Sequence, residues 1–260
     1  MAEYNQLYQM ARYYDIALRR DVSPEVDFML AVYRHYVRRE VRAMIDIACG
    51  PGYHAREFAR RGVQAFGLDL RPEMVDFAQE QAKAEGVEVT WLVADMCCFK
   101  LSQPVDMAIC IFDGLDALLE NRAIVEHLRT VSANLSPQGI YLLEHTHPQF
   151  SSLNHYGEFR YSGQVNGTSV DILWAVNRPS FNPVTNVAEV EIEVRVHEGD
   201  QQQIFRDSAR ERLLLPQELA ILVEQSQALQ IVGCYGDFNL NQPFDNSDAS
   251  NRMITVLQKL

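Results

Sequence analysis

Ile45-Asp46-Ile47-Ala48-Cys49-Gly50-Pro51-Gly52-Tyr53-His54 decides how this chain folds. It reads as a short buried strand that runs into a glycine turn and then into a helix. Such a junction is a place where a nucleotide-like ligand can lie against backbone. Gly50 and Gly52 permit close approach, and Asp46 can accept a hydrogen bond or pair with a cationic group. A tight strand-to-helix turn with no ligand fits the same residues. So does a dinucleotide fingerprint, because the pattern extends to Gly50-x-Gly52-x-x-Ala55.

Outward from this stretch the pattern alternates. Strands are expected at 44–48, 65–69, 89–93, 105–112 and 139–145. Helices are expected at 53–61, 72–84, 115–119 and 121–134. Several strands are apolar runs without alternation, as when both faces are covered. The order implies an α/β fold with a doubly wound, mostly parallel sheet. Upstream, Tyr4 to Leu18 carries apolar residues near helical spacing. Asp21-Val22-Ser23-Pro24-Glu25 then resembles a cap and proline start for a second helix reaching about Arg39. The two helices either cover a sheet face or close as a lid.

From residue 156 the rhythm becomes antiparallel, with strands expected at 158–166, 168–176, 188–197 and 202–214. Asn166-Gly167 and Glu198-Gly199-Asp200 are hairpin turns. Val190, Ile192, Val194 and Val196 alternate with charged residues, which marks a sheet with one apolar face. A helix opening at Pro216 and strands at 230–238 and 252–258 follow. This gives N-terminal helices over 1–40, a nucleotide-type domain over 41–150 and 215–260, and an antiparallel β insertion over 151–214. That insertion is a substrate or oligomer region, and a homodimer through its exposed edge is one expectation.

The chain has 260 residues, 47% of them apolar, and a net charge of −12 from 23 basic and 35 acidic residues. Without a basic run it is a poor polyanion binder, so a small-molecule partner is expected, with neither nucleic acid nor membrane. Five cysteines without paired spacing read as reduced core thiols of a cytoplasmic protein.

Three acids end successive strands. Asp69, ending Gly67-Leu68-Asp69-Leu70, can take both hydroxyls of a ribose. Asp95, in Ala94-Asp95-Met96, can accept from an adenine amine while Met96 covers the ring. Phe112 lies at the end of the fourth strand. In this order and spacing, from Met44 to Gly139, the chain resembles the class I S-adenosylmethionine-dependent methyltransferases, in the branch of sugar N-methyltransferases and glycine-type N-methyltransferases. Pro216-Gln217-Glu218-Leu219, Tyr235-Gly236-Asp237-Phe238 and Ser250-Asn251-Arg252-Met253-Ile254 fit the small-molecule members. The resemblance implies a seven-stranded Rossmann-like sheet with its last strand antiparallel and an insertion after the fifth strand. It also implies S-adenosylmethionine as cofactor and transfer of a methyl group to N or O of a small molecule. The implied donor site draws Asp46, Ala48, Gly50, Gly52 and His54 from the first junction. Asp69, Leu70 and Met74 join it from the second, and Ala94, Asp95, Met96 and Phe112 from the third and fourth. Phe112-Asp113-Gly114-Leu115 departs from the signature of nucleic-acid amino-methylating enzymes.

On the acceptor side, Glu144-His145-Thr146-His147-Pro148 places two imidazoles on one strand face. A metal pair is conceivable, but no further ligand set is evident and no metal is expected. His145 and His147 are instead candidate acceptor-pocket residues with Tyr13, Tyr14 and Trp174, and His145 or Tyr14 is the candidate catalytic group. Tyr156, Phe159 and Tyr235 are further aromatics for the pocket wall. The competing readings are an NAD(P)-dependent oxidoreductase and a methyltransferase-fold interaction module.

Overall fold

β1 (Ala43–Ile47) is buried along its whole length, because it is hydrogen-bonded on both sides and covered on both faces. The computed structural model describes residues 6–260, so Tyr4 of the first predicted helix lies outside them. Two units divide the chain: Val22–Gln149 with Leu214–Leu260, and Met1–Asp21 with Phe150–Leu213.

In the larger unit, β2 (Gln64–Asp69), β3 (Val89–Val93), β4 (Val105–Cys110), β5 (Leu135–Thr146), β10 (Leu229–Tyr235) and β11 (Arg252–Lys259) join β1. The sheet order is β10-β11-β5-β4-β1-β2-β3. β1 to β5 run parallel, whereas β11 is antiparallel to both β5 and β10. This is the doubly wound sheet expected from the alternation, with the seven strands and antiparallel last strand that the resemblance implies. β5 starts earlier than 139 because Leu135 already pairs with Val105. The register then slips before Met107 meets Ile140, and Gln138 at φ 64° takes up the slack.

One face of the sheet carries Ile45, Ile47, Ala108, Cys110, Tyr141 and Leu143 into a core with α5 (Asn121–Asn134) and α6 (Pro216–Ser226). The other carries Met44, Met107, Ile109, Ile140 and Leu142 into a core with α2 (Ser23–Val37) and α3 (Tyr53–Arg60). α4 (Pro72–Glu85) packs against β2 and β3. α2 begins at Ser23 with Pro24 in its first turn and no side-chain cap, so Asp21 is not the cap that its sequence suggests. The predicted 115–119 helix is a 3-10 turn over Gly114–Ala117.

The smaller unit is an antiparallel meander, β6 (Phe159–Val165), β7 (Thr168–Trp174), β8 (Val187–Glu198) and β9 (Gln201–Arg212). The predicted hairpins turn at Asn166-Gly167, with φ 49° and 82°, and at Gly199, with φ 60°. The first predicted helix is two pieces, a 3-10 turn Gln6–Gln9 and α1 (Ala11–Leu18), broken at Met10. α1 lies on β6 and β7 so closely that a Cβ at Gly163 would fall 1.8 Å from the Ile16 carbonyl oxygen. Only glycine admits that contact. Among the described residues no helix is long and apolar enough to cross a membrane. Cys49 and Cys110 are buried, but Cys98 and Cys234 are exposed, so the thiols are not all core residues.

Candidate functional site

Three of the ten non-glycine residues with left-handed backbone among the described residues follow the two central strands. Ala48 follows β1 at φ 55°, and Phe112 and Asp113 follow β4 at φ 62° and 59°. β1 and β4 are neighbours from which the strand order runs outward in both directions. Ligands of open α/β sheets bind at such a switch point, and strained residues cluster where a site over-determines them.

The two glycines of the turn serve different ends. Gly52, at φ 75°, has the Trp91 ring 2.3 Å from where its Cβ would be, so it is required by packing. Gly50, at φ 51°, meets no heavy atom within 4 Å of that position, which leaves open space beside its backbone. The Gly50 N–H donates to Asp69 Oδ2 at 2.8 Å, and the Arg71 N–H donates to Oδ1 at 2.9 Å. A carboxylate has about four lone-pair directions, so Asp69 keeps acceptor capacity for a diol. Burial pushes its carboxyl above the usual range, and these backbone donors partly offset that.

Asp46 is 2% exposed and accepts from the Ala55 N–H at 3.3 Å. Burial raises its carboxyl to about 6, against the opposing pull of His54. The His54 Nε2 lies 2.6 Å from Glu25 Oε2, which links the start of α3 to α2. Leu70 is exposed just past β2, whereas Met74 is buried on the inner face of α4. Ala94 donates its N–H to the Asp69 carbonyl, and Asp95 Oδ1 accepts from the Cys97 N–H at 2.8 Å. The Met96 carbonyl is held by His127 Nδ1 at 2.9 Å. Phe112 packs against the α2–α3 core. The junction after β1 and the ends of β2, β3 and β4 thus lie along one edge of the sheet.

The end of β5 is a second polar centre that the sequence reading only half identified. Glu144, 2% exposed, accepts the Phe112 N–H and pairs with Arg252 at the start of β11. Asp113 accepts from the Thr146 N–H and from Thr146 Oγ1, and lies 3.5 Å from Arg252. This lattice pins the strained Phe112–Asp113 turn against β5. His145 takes the opposite face, its Nδ1 3.1 Å from Asp116 Oδ1. Ligand atoms of Asp113, Asp116 and His145 lie within 4.8 Å of one another. Both Asp113 oxygens are engaged by Thr146 and a guanidinium stands beside it, so hydrogen bonds and an ion pair hold the cluster. His147 is not part of it: its Nε2 meets the Asp245 carbonyl at 2.9 Å and its Nδ1 accepts from the Gln149 N–H. Asp116, Asp113 and Arg252 were missed. An acid beside His145 in a buried strand was the available signal.

Tyr13, Tyr14 and Trp174 belong to the smaller unit. Tyr13 stacks near Phe205, and Tyr14 near Tyr8. Trp174 Nε1 and the Tyr156 hydroxyl both donate to Glu211.

Residues 44–139 match the methyltransferase-domain family. That match covers 96 of the 260 residues. Solved structures extend the likeness beyond those residues. A S-adenosylmethionine-dependent methyltransferase of Clostridium acetobutylicum superposes with a TM-score of 0.79 at 17% identity, covering 98% of this chain and 99% of that one. An amino pentose methyltransferase of Micromonospora echinaspora, bound to S-adenosylmethionine, gives 0.71 at 20% identity, covering 100% and 99%. The methyltransferase fold therefore extends over the whole chain. In sequence, a dTDP-3-amino-3,4,6-trideoxy-alpha-D-glucopyranose N,N-dimethyltransferase of Streptomyces venezuelae is 23% identical over 40% of this chain and 43% of its own length. The chain spans about half the length of the curated relatives it matches, or less.

Proposed function

We propose that the chain transfers a methyl group from S-adenosylmethionine to a nitrogen or oxygen of a small molecule, with an amino sugar as the favoured acceptor class. The observation that carries this is the strained turn at the switch point, whose open Gly50 backbone is hydrogen-bonded to the acid ending β2. Gly50 and Ala48 would border the amino-acid end of the donor, Asp69 the ribose hydroxyls, and Asp95 with Met96 the adenine. When bound, S-adenosylmethionine supplies a sulfonium methyl already activated for displacement. The protein's task is then alignment and exclusion of water. The family match counts against the NAD(P) reading. The amine preference draws on the relative that methylates an amino sugar nucleotide.

Tyr13, Tyr14 and Trp174 are proposed to bind the acceptor, and the N-terminal helices to act as a lid. The outer strands of the meander, β6 and β9, are proposed to join two copies, which light scattering tests. A net charge of −12 supports a small acceptor over nucleic acid, and the absence of paired cysteine spacing supports a cytoplasmic setting.

Calorimetry with S-adenosylhomocysteine beside NADH is the deciding experiment. Binding of the first alone, abolished by Asp69→Ala, is expected. Preference for NADH would overturn the reading. Turnover of an aminodeoxyhexose nucleotide against its hydroxyl counterpart tests the acceptor class.

A further inference from the structure

We propose that His145, oriented by Asp116, takes a proton from a positively charged amine acceptor, and that the carboxylates around it select such an acceptor. This rests on the methyltransferase reading and names the substrate class for it.

His145 is 3% exposed, yet its Nε2 has no hydrogen-bond partner among the described residues. A buried polar atom left without a partner in a native fold calls for an explanation, and a ligand or water is the ordinary one. The other ring nitrogen is spoken for. An ionised carboxylate only accepts, so Asp116 keeps the proton on Nδ1 and leaves the lone pair on Nε2. His147, two residues on, has both nitrogens engaged and offers no such atom.

The charges nearby are one-sided. Asp116 comes from the 3-10 turn after β4, Asp113 from the strained end of β4, and Glu144 from β5. Against these three carboxylates stands Arg252 of β11. Glu144 and Asp113 are bound to Arg252 and to backbone, so they fix the frame. A cation entering near Nε2 meets net negative charge at low dielectric, and an anion is repelled. Burial alone would lower the His145 pKa. The hydrogen bond and charge of Asp116, followed by Asp113 and Glu144, outweigh it and raise it above the ordinary 6.5.

The acceptor enters as an ammonium ion. One N–H bond breaks, its proton passes to Nε2, and the electron pair left on nitrogen becomes the nucleophile. The imidazolium is stabilised by Asp116 and gives its proton to solvent. Asp116 is a positioning residue in this scheme.

Ring nitrogen–proton correlation spectra of the full chain test this, with His145→Gln assigning the ring and methylammonium as the probe. The His145 ring is expected to titrate above pH 6.5 with Nε2 as the bare nitrogen. Methylammonium is expected to shift it saturably in the S-adenosylhomocysteine-loaded chain, where sodium chloride does not. Asp116→Asn is expected to lower its pKa by about one unit or more, a tenfold loss of proton affinity. S-adenosylhomocysteine affinity of His145→Gln within about twofold of wild type would show an intact donor site, since general bases act on kcat by about 10²–10⁴ and not on donor binding. A ring that stays neutral, carries its proton on Nε2, or ignores methylammonium overturns the proposal. Selective broadening by Mn²⁺ overturns it in favour of a cation site. Failure to bind S-adenosylhomocysteine counts against the methyltransferase reading instead. The titration and Asp116→Asn arms, run on the unloaded chain, still decide the role of His145.

Discussion

The backbone N–H of Gly50 donates to Oδ2 of Asp69 at 2.8 Å, so the turn after β1 and the acid ending β2 are one structural unit. Asp69 therefore holds the turn before it holds any ligand. Asp69→Ala leaves the Gly50 and Arg71 amides without their acceptor and is expected to cost about 1–3 kcal/mol. Asp69→Asn keeps one carbonyl acceptor and should cost less stability while still losing S-adenosylhomocysteine affinity. Urea denaturation and calorimetry on both variants separate the two roles.

Gly50→Ala and Gly52→Ala should fail differently. At Gly52 the methyl collides with Trp91 in addition to the left-handed φ. Loss of more than about 2 kcal/mol is expected from overpacking and strain together. At Gly50 the methyl meets open space, so only about 1 kcal/mol of backbone strain is expected, but the ligand's approach is blocked. A thermal melt that spares Gly50→Ala, paired with weakened S-adenosylhomocysteine binding, is the predicted pattern.

Asp46 links the site to pH. Its folded pKa of about 6 lies above the unfolded value near 3.8. The contribution is therefore fully present below about pH 4 and is lost as pH rises through 6. Asp46→Asn keeps an acceptor for Ala55 and is expected to stabilise the unloaded protein by about 2 kcal/mol at pH 8, with the difference vanishing near pH 4. Denaturation midpoints at the two pH values check this. A variant equally stabilised at both would contradict it.

Arg252 neutralises a carboxylate that water barely reaches. Arg252→Met leaves Glu144 buried and uncompensated, at an expected cost of about 3–5 kcal/mol. Adding Glu144→Gln should return much of that loss, because the orphaned charge is gone. A double-mutant cycle with a coupling energy near zero would sink the idea.

The large sheet was legible because buried parallel strands write apolar runs, and the glycines and acids at their ends are the costly residues of a switch point. β1 to β4, α3 to α5 and the four-stranded meander all appear within a few residues of their expected bounds. The β5 end was not legible to the same depth. Asp116 and Arg252 are ordinary surface-type residues in sequence; the turn that starts at Phe112 and Asp113 carries Asp116 to His145, and the antiparallel pairing of β11 with β5 carries Arg252 to Glu144. Pairing across 108 residues, as between Arg252 and Glu144, leaves no local period to read. The same limit applies to Gly52, whose need for glycine comes from Trp91 on another strand.

The contact of Ile16 with Gly163 has a consequence for engineering. The meander is not a cassette contained within 150–213, because its helical cover, α1 (Ala11–Leu18), is written before all of β1 to β5. Transplanting this module between homologous scaffolds would require both stretches to travel together. A graft of 150–213 alone would lay a foreign α1 on Gly163, where 1.8 Å leaves no room for mismatch.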